Sequence, residues 1–266
     1  GVRTSENAQL CLTNEEMRRE FVRNLKLRLR DNPAATIASV SQNDCFNPCA
    51  CPKCRAVDEE EGSPAGSLLR FVNAVAAEIE GEYPGVAIDT LAYQYSRKPS
   101  RLARPRPNVI VRLCSIECSF ARPLDDPANA AFLEDLQGWA KIAGRLFIWD
   151  YTTNFSHYVQ PHPNYGVLGP NIRLFVKNNV TGIFEQGAYQ SPGAETADTV
   201  ILVGSEGNTT WGFAGTLGPR HHRTAKPEQD HQAGDGCGGD QEKDPQRIDA
   251  AVGRGLRFLA RTQEPD

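Results

Sequence analysis

No uncharged apolar run in these 266 residues approaches the ~20 needed to span a bilayer, so no transmembrane helix is expected. Nor is there an excess of positive charge: Lys and Arg number 29 against 33 Asp and Glu, a formal net charge of −4. Phosphate recognition favours a basic surface, which argues against nucleic acid as the main partner. No internal repeat recurs along the chain. Methionine occurs once, and Gly1-Val2-Arg3-Thr4 opens with neither Met nor a signal-like apolar region. The sequence therefore reads as an excised piece whose compartment no leader declares. Evenly spread cysteines are missing too, which speaks against a secreted disulfide framework. What remains is a soluble globular composition, 39% hydrophobic and 23% charged.

Five strand-like runs occupy the first two thirds: Ala35–Asp44, Val86–Tyr95, Asn108–Phe120, Arg145–Phe155 and Val180–Tyr189. Each ends in polar or acidic residues, in turn Asn43-Asp44, Tyr93-Gln94-Tyr95, Glu117, Asp150-Tyr151 and Glu185-Gln186. Helical segments separate most of them. Alternating strand and helix, with chemistry at strand C-termini, predicts a parallel α/β barrel whose site lies at that end.

Helix signals fit this frame. Thr13 and Glu16 form a capping-box pattern ahead of Phe21, Val22, Leu25 and Leu29 at helical spacing. Ser63-Pro64 opens a second helix striped by Leu68, Val72, Val75 and Ile79. Asp126-Pro127 starts a third with Phe132, Leu136 and Ala140, and a short one is expected over Pro170–Lys177. The stretch Tyr151–Gly169 reads as a long aromatic loop holding His157 and His162, which are expected to be solvated. Residues 199–247 are polar and glycine-rich and are expected to be a disordered linker. Residues 248–266 return to helical spacing through Ile248, Val252, Leu256 and Leu259, which predicts a C-terminal helix of uncertain origin.

Val40-Ser-Gln-Asn-Asp44 followed by Cys49-Ala-Cys51-Pro-Lys-Cys54 resembles the bacterial family known as domain of unknown function 4838. Gln9-Leu-Cys-Leu-Thr13, Phe71-Val-Asn-Ala-Val-Ala76, Pro107-Asn-Val-Ile110, Ile148-Trp-Asp-Tyr151 and Gly182-Ile-Phe-Glu-Gln-Gly187 extend the resemblance over about residues 8–198. The resemblance implies a glycoside-hydrolase-like TIM-type (β/α)8 barrel from carbohydrate-degrading bacteria, of which this chain carries strands four to eight. On that basis the fold is an incomplete barrel over residues 1–198, acting on carbohydrate, with the parent protein extracytoplasmic. Three missing strands leave open edges, so the isolated piece is expected to be poorly soluble and could be inactive.

Glycosidic chemistry then falls to the strand ends. Asp44 is the expected proton donor to the leaving oxygen, with Glu185 or Asp150 as base, nucleophile or transition-state stabiliser. The plain alternative for Asp44 is an Asx turn leaving its strand. Asn43, Tyr93, Tyr95, Glu117, Trp149 and Tyr151 share those ends and are the expected sugar contacts, although buried aromatics belong to the core more often than to a binding platform. No cofactor is implied for catalysis.

Cys45, Cys49, Cys51 and Cys54 fall within ten residues and leave three readings open. They can hold a structural zinc, with Cys11 as a distant fourth ligand. In an oxidising compartment they can form disulfides, and in a reducing one they can stay thiols. In none of these is the cluster the catalytic centre; its expected job is to fix the loop behind Asp44. The functional alternatives are a hydrolase, a barrel that binds carbohydrate without cleaving it, and a zinc-stabilised interaction module.

Overall fold

The computed structural model describes residues 8–155, 162, 164–186, 199–202 and 258–260, the last two stretches by backbone alone. His157 and almost all of the linker and C-terminal helix expected over 199–266 lie outside them. Five strands run parallel in sequence order: β1 Ala35–Ser39, β2 Ala87–Ala92, β3 Val109–Cys114, β4 Leu146–Tyr151 and β5 Val180–Gln186. They curl into a half-barrel. The α/β expectation and the five strand positions hold.

Period-two alternation decides what each face does. Ala38 and Val40, Ile88 and Ala92, Val109, Val111 and Leu113, then Leu146 and Ile148 all enter one buried core. Against them pack α1 Glu15–Asp31 through Phe21, Val22, Leu25 and Leu29, and α3 Ala65–Glu80 through Leu68, Leu69, Val72, Val75 and Ile79. The same layer holds α4 Ala130–Ile142 through Phe132, Leu136 and Trp139, and α5 Tyr165–Lys177 through Phe175. A register shift opposite Leu146 and Phe147 resets the alternation in β5, so Val180 and Ile183 both reach this core. Helices on one face and parallel strands beneath them suit a β-α-β winding.

Two further strands flank the five. β6 Thr199–Leu202 pairs antiparallel with β5, and β7 Phe258–Ala260 pairs antiparallel with β1. Within the span expected to be helical, these last three residues are extended. An edge strand's free peptide groups offer them hydrogen-bond partners that a short isolated helix lacks.

Helix ends depart from expectation in instructive ways. The N-cap of α1 is Asn14, whose Oδ1 accepts from the amides of Glu16 and Met17 at 3.0 and 3.1 Å. Thr13 is displaced from that role because its hydroxyl lies 3.3 Å from Cys54 Sγ. A further helix, α2 Pro52–Glu61, stands where the sequence suggested a loop. Pro52 at its first position and Gly62, left-handed at φ +67°, mark its two ends. Helix α5 begins at Tyr165, ahead of the expected Pro170, and carries that proline within it. No helix among the described residues is long and apolar enough to cross a membrane.

Glu61, at the end of α2, is buried yet fully paired. It accepts from Arg70 Nε and Nη2 at 2.8 and 2.6 Å and from the amides of Leu102 and Ala103 at 2.8 and 2.9 Å. Burial alone would raise its pKa, but those amides and the guanidinium together hold it below the usual carboxylate value. Glu61→Gln is therefore expected to lose about 2–3 kcal/mol at neutral pH, read by urea unfolding. The native pKa being depressed, this contribution is present above about pH 4.3 and fades as pH falls through the lower folded value. A loss of equal size at pH 7 and pH 2 would contradict the pairing.

Candidate functional site

The strand C-termini gather the predicted residues into two neighbouring groups. The first follows β1 and β2. Asp44 is exposed, and Tyr93 Oη donates to its Oδ1 at 3.1 Å. Gln42 Nε2 donates to the Tyr93 carbonyl at 2.8 Å, and Ser96 Oγ donates to Gln42 Oε1 at 2.8 Å. The loop after β1 is thus tied to the end of β2, which fixes where Asp44 stands. The Tyr93 hydroxyl is pushed above the usual phenol range by burial and then by Asp44.

The second group lies at the ends of β3, β4 and β5. Asp150 and Glu185 are register partners on adjacent strands. Each lies two residues after a core residue, Ile148 or Ile183, on the same strand face, and so leans towards the helices. Asp150 is 3% exposed; it accepts from Ser115 Oγ in a short bond and from the Tyr151 amide at 3.0 Å. Asn171 of α5 also bonds it, and burial nevertheless raises its pKa. Glu185 Oε2 is buried without a hydrogen-bond partner among the described residues. Burial first, and the Asp150 charge second, push Glu185 up to about 8. Burial opposes the ionisation of both carboxyls, and the Asp150 charge adds to that effect at Glu185.

Tyr151 connects the groups. Its hydroxyl is raised by burial and then by the charges of Cys114, Tyr93, Asp44 and Asp150, so it lies near acids of both. Its ring stacks on Phe120 at 5.8 Å and near-parallel to Trp149 at 6.2 Å. Trp149 meets Phe184 edge-on at 4.9 Å and donates through Nε1 to Gln186 Oε1 at 2.7 Å. His162 completes this aromatic patch, its ring edge-on to Phe120. It is half-buried with Nε2 unpartnered among the described residues, so the expectation of a solvated histidine is not met.

Three predicted contacts are engaged elsewhere. Asn43 anchors the N-terminal segment: its Nδ2 donates to the Ala8 carbonyl at 2.8 Å, and its amide donates to Gln9 Oε1 at 2.8 Å. Glu117 pairs closely with Arg97, which also donates through Nε to Asp135 Oδ2 at 2.7 Å. Tyr95 lies towards Cys45 and Asp58, whose charges add to burial in raising its phenol. Ser115, Asn171 and Phe120 were missed. Only Ser115 had a usable signal, as a hydroxyl directly after a strand.

The cysteines form a separate cluster of four. The Sγ atoms of Cys11, Cys49, Cys51 and Cys54 all lie within 4.8 Å of one another, a set that could hold a metal ion. Cys45 is not among them; its Sγ takes a hydrogen bond from Gln9 Nε2 at 3.3 Å, and Cys11 stands in its place. The chain folds back so that residue 11 meets the start of α2, and adjacency in sequence is no guide to that. Cys51 caps α2, with its Sγ accepting from the Cys54 amide at 3.4 Å. That bond brings the Cys51 thiol down to about 6, whereas burial lifts Cys49 to about 12.

No curated protein and no solved structure matches the chain. A family model described as "Domain of unknown function (DUF4838)" matches residues 1–201. The chain belongs to that family.

Proposed function

We propose that the chain is part of a TIM-type (β/α)8 barrel in a carbohydrate-active protein and that its strand-end carboxyls cleave glycosidic bonds with acid assistance. The observation that carries this reading is Glu185, beside Asp150, with Oε2 buried and unpartnered among the described residues and its pKa raised to about 8. A carboxylic acid still protonated at neutral pH is what donation to a leaving oxygen requires. The sequence alone gave that role to Asp44; burial favours Glu185. Asp150, enclosed and hydrogen-bonded, acts through Glu185 by opposing its ionisation and is a positioning residue. Asp44, exposed and held by Tyr93, supplies the second carboxyl as base, nucleophile or charge stabiliser. The chemistry calls for no redox or nucleotide cofactor, and a zinc held by the four thiols would be structural.

The test uses the protein in its natural reading frame, including whatever precedes Gly1. It is expected to hydrolyse members of an aryl glycoside panel. Asp44→Asn should lower turnover about tenfold or more while sugar affinity stays within a few-fold. Binding without turnover would favour a non-catalytic carbohydrate-binding barrel and remove the hydrolase reading.

A further inference from the structure

We propose that Cys11, Cys49, Cys51 and Cys54 bind one zinc ion as a tetrahedral tetrathiolate, a structural staple that joins the N-terminal segment to the loop carrying Asp44. This inference stands apart from the hydrolase reading and holds whether or not the barrel cleaves sugars.

Distances carry the argument. A tetrahedral zinc with Zn–S bonds of about 2.3 Å places its sulfurs about 3.8 Å apart. Cys11 Sγ lies 3.7 Å from Cys51 Sγ and 3.9 Å from Cys54 Sγ. A disulfide would need sulfurs about 2.05 Å apart, and all four of these cysteines are free. Four unbonded thiols within 4.8 Å of one another, with Cys11 at tetrahedral-edge spacing from two of them, have the shape of a mononuclear site. Their surroundings suit thiolates as well. The Cys54 amide points at Cys51 Sγ from the first turn of α2, and helix N-terminal amides favour negative charge. The Thr13 hydroxyl sits 3.3 Å from Cys54 Sγ and 3.6 Å from Cys11 Sγ, near enough to donate to either. Metal-bound sulfurs commonly gain such outer partners.

What the ion would hold together is equally defined. Besides the thiols, residues 8–13 and the loop after β1 are joined by hydrogen bonds that centre on Gln9 and Asn43, and the Gln9 amide donates to the Asn47 carbonyl at 3.2 Å. Gln9 Nε2 donates to the carbonyls of Asn43 and Cys45, both at 2.8 Å, and Asn43 Nδ2 donates to Ala8. Leu10 and Leu12 of this segment pack against the core but are only partly buried. A metal bridging residue 11 to residues 49–54 closes a loop around β1 and the base of Asp44, and its binding energy becomes folding energy for that loop.

The experiment measures metal content and free thiols on the intact protein purified under reducing, chelator-free conditions. One zinc per chain is expected, with the four thiols unreactive until the metal is removed. Cobalt substitution should give the visible bands of a tetrahedral tetrathiolate centre. Cys11→Ser and Cys49→Ser should each abolish stoichiometric binding, whereas Cys45→Ser should retain it in full. Should a serine variant fail to fold, chelation of the wild type provides the second reading: metal loss should lower the melting temperature and expose four thiols together. Metal-free protein with four reactive thiols, a Cys11–Cys51 disulfide found by mass spectrometry, or zinc retained by Cys11→Ser and lost from Cys45→Ser would each overturn the proposal.

Discussion

Arg112→Met is expected to destabilise the protein by about 3–5 kcal/mol at neutral pH, a loss typical of orphaning a buried charge. On the sheet face turned away from the helices, Arg112 Nη2 pairs with Asp89 Oδ2 at 2.8 Å. Ser39 Oγ donates to the other Asp89 oxygen at 2.7 Å. Asp89 is 1% exposed, and burial raises its pKa even with Arg112 beside it. Removing the guanidinium leaves a carboxylate accepting from the Ser39 hydroxyl at a site closed to bulk solvent. The sign with pH follows. A carboxyl whose folded pKa exceeds its unfolded value binds its proton more tightly when folded, so the variant should regain stability relative to wild type as pH falls from neutral towards 4. Asp89→Leu combined with Arg112→Met should recover most of the loss, because no charge is then left buried. Chemical unfolding of the three proteins decides the matter. A cost below about 1 kcal/mol for Arg112→Met would place the pair in solvent.

How much of this was written in the sequence depends on the kind of signal. The strands were legible because β-branched and small residues such as Val109-Ile110-Val111 leave no surface for water, and turn residues bound each run. Helix α2 was not legible: of its ten residues only Cys54 and Glu61 are buried, so no apolar stripe marks it. Cys11 could not be chosen over Cys45 from spacing, since ligand choice depends on where the chain returns to itself. Glu117 looked free because its partner Arg97 sits twenty residues earlier in a basic loop. The splitting of the strand-end acids was partly readable. Period two already places Asp150 and Trp149 on opposite faces of β4, and naming both as contacts to one ligand passes over that alternation.

Glu185→Gln is expected to lower hydrolysis of alkyl and other poor-leaving-group glycosides by about 10²–10⁴-fold, the usual contribution of a positioned proton donor. Glutamine keeps the shape of the side chain but has no acidic proton to give. Asp150→Asn acts on the same step indirectly. With the neighbouring charge gone, one of the two causes of the raised Glu185 pKa disappears, and the basic limb of the rate profile should move down from about pH 8. Burial, the larger cause, remains, so the limb should stop short of the ordinary carboxylate range.

The most direct measurement is the leaving-group dependence of that loss in the natural full-length protein. A dinitrophenolate needs no proton on departure, so Glu185→Gln should cleave dinitrophenyl glycosides at close to the wild-type rate while alkyl glycosides fall by the full factor. Equal losses on both substrate classes, or no loss on either, would contradict the assignment of Glu185 as the acid.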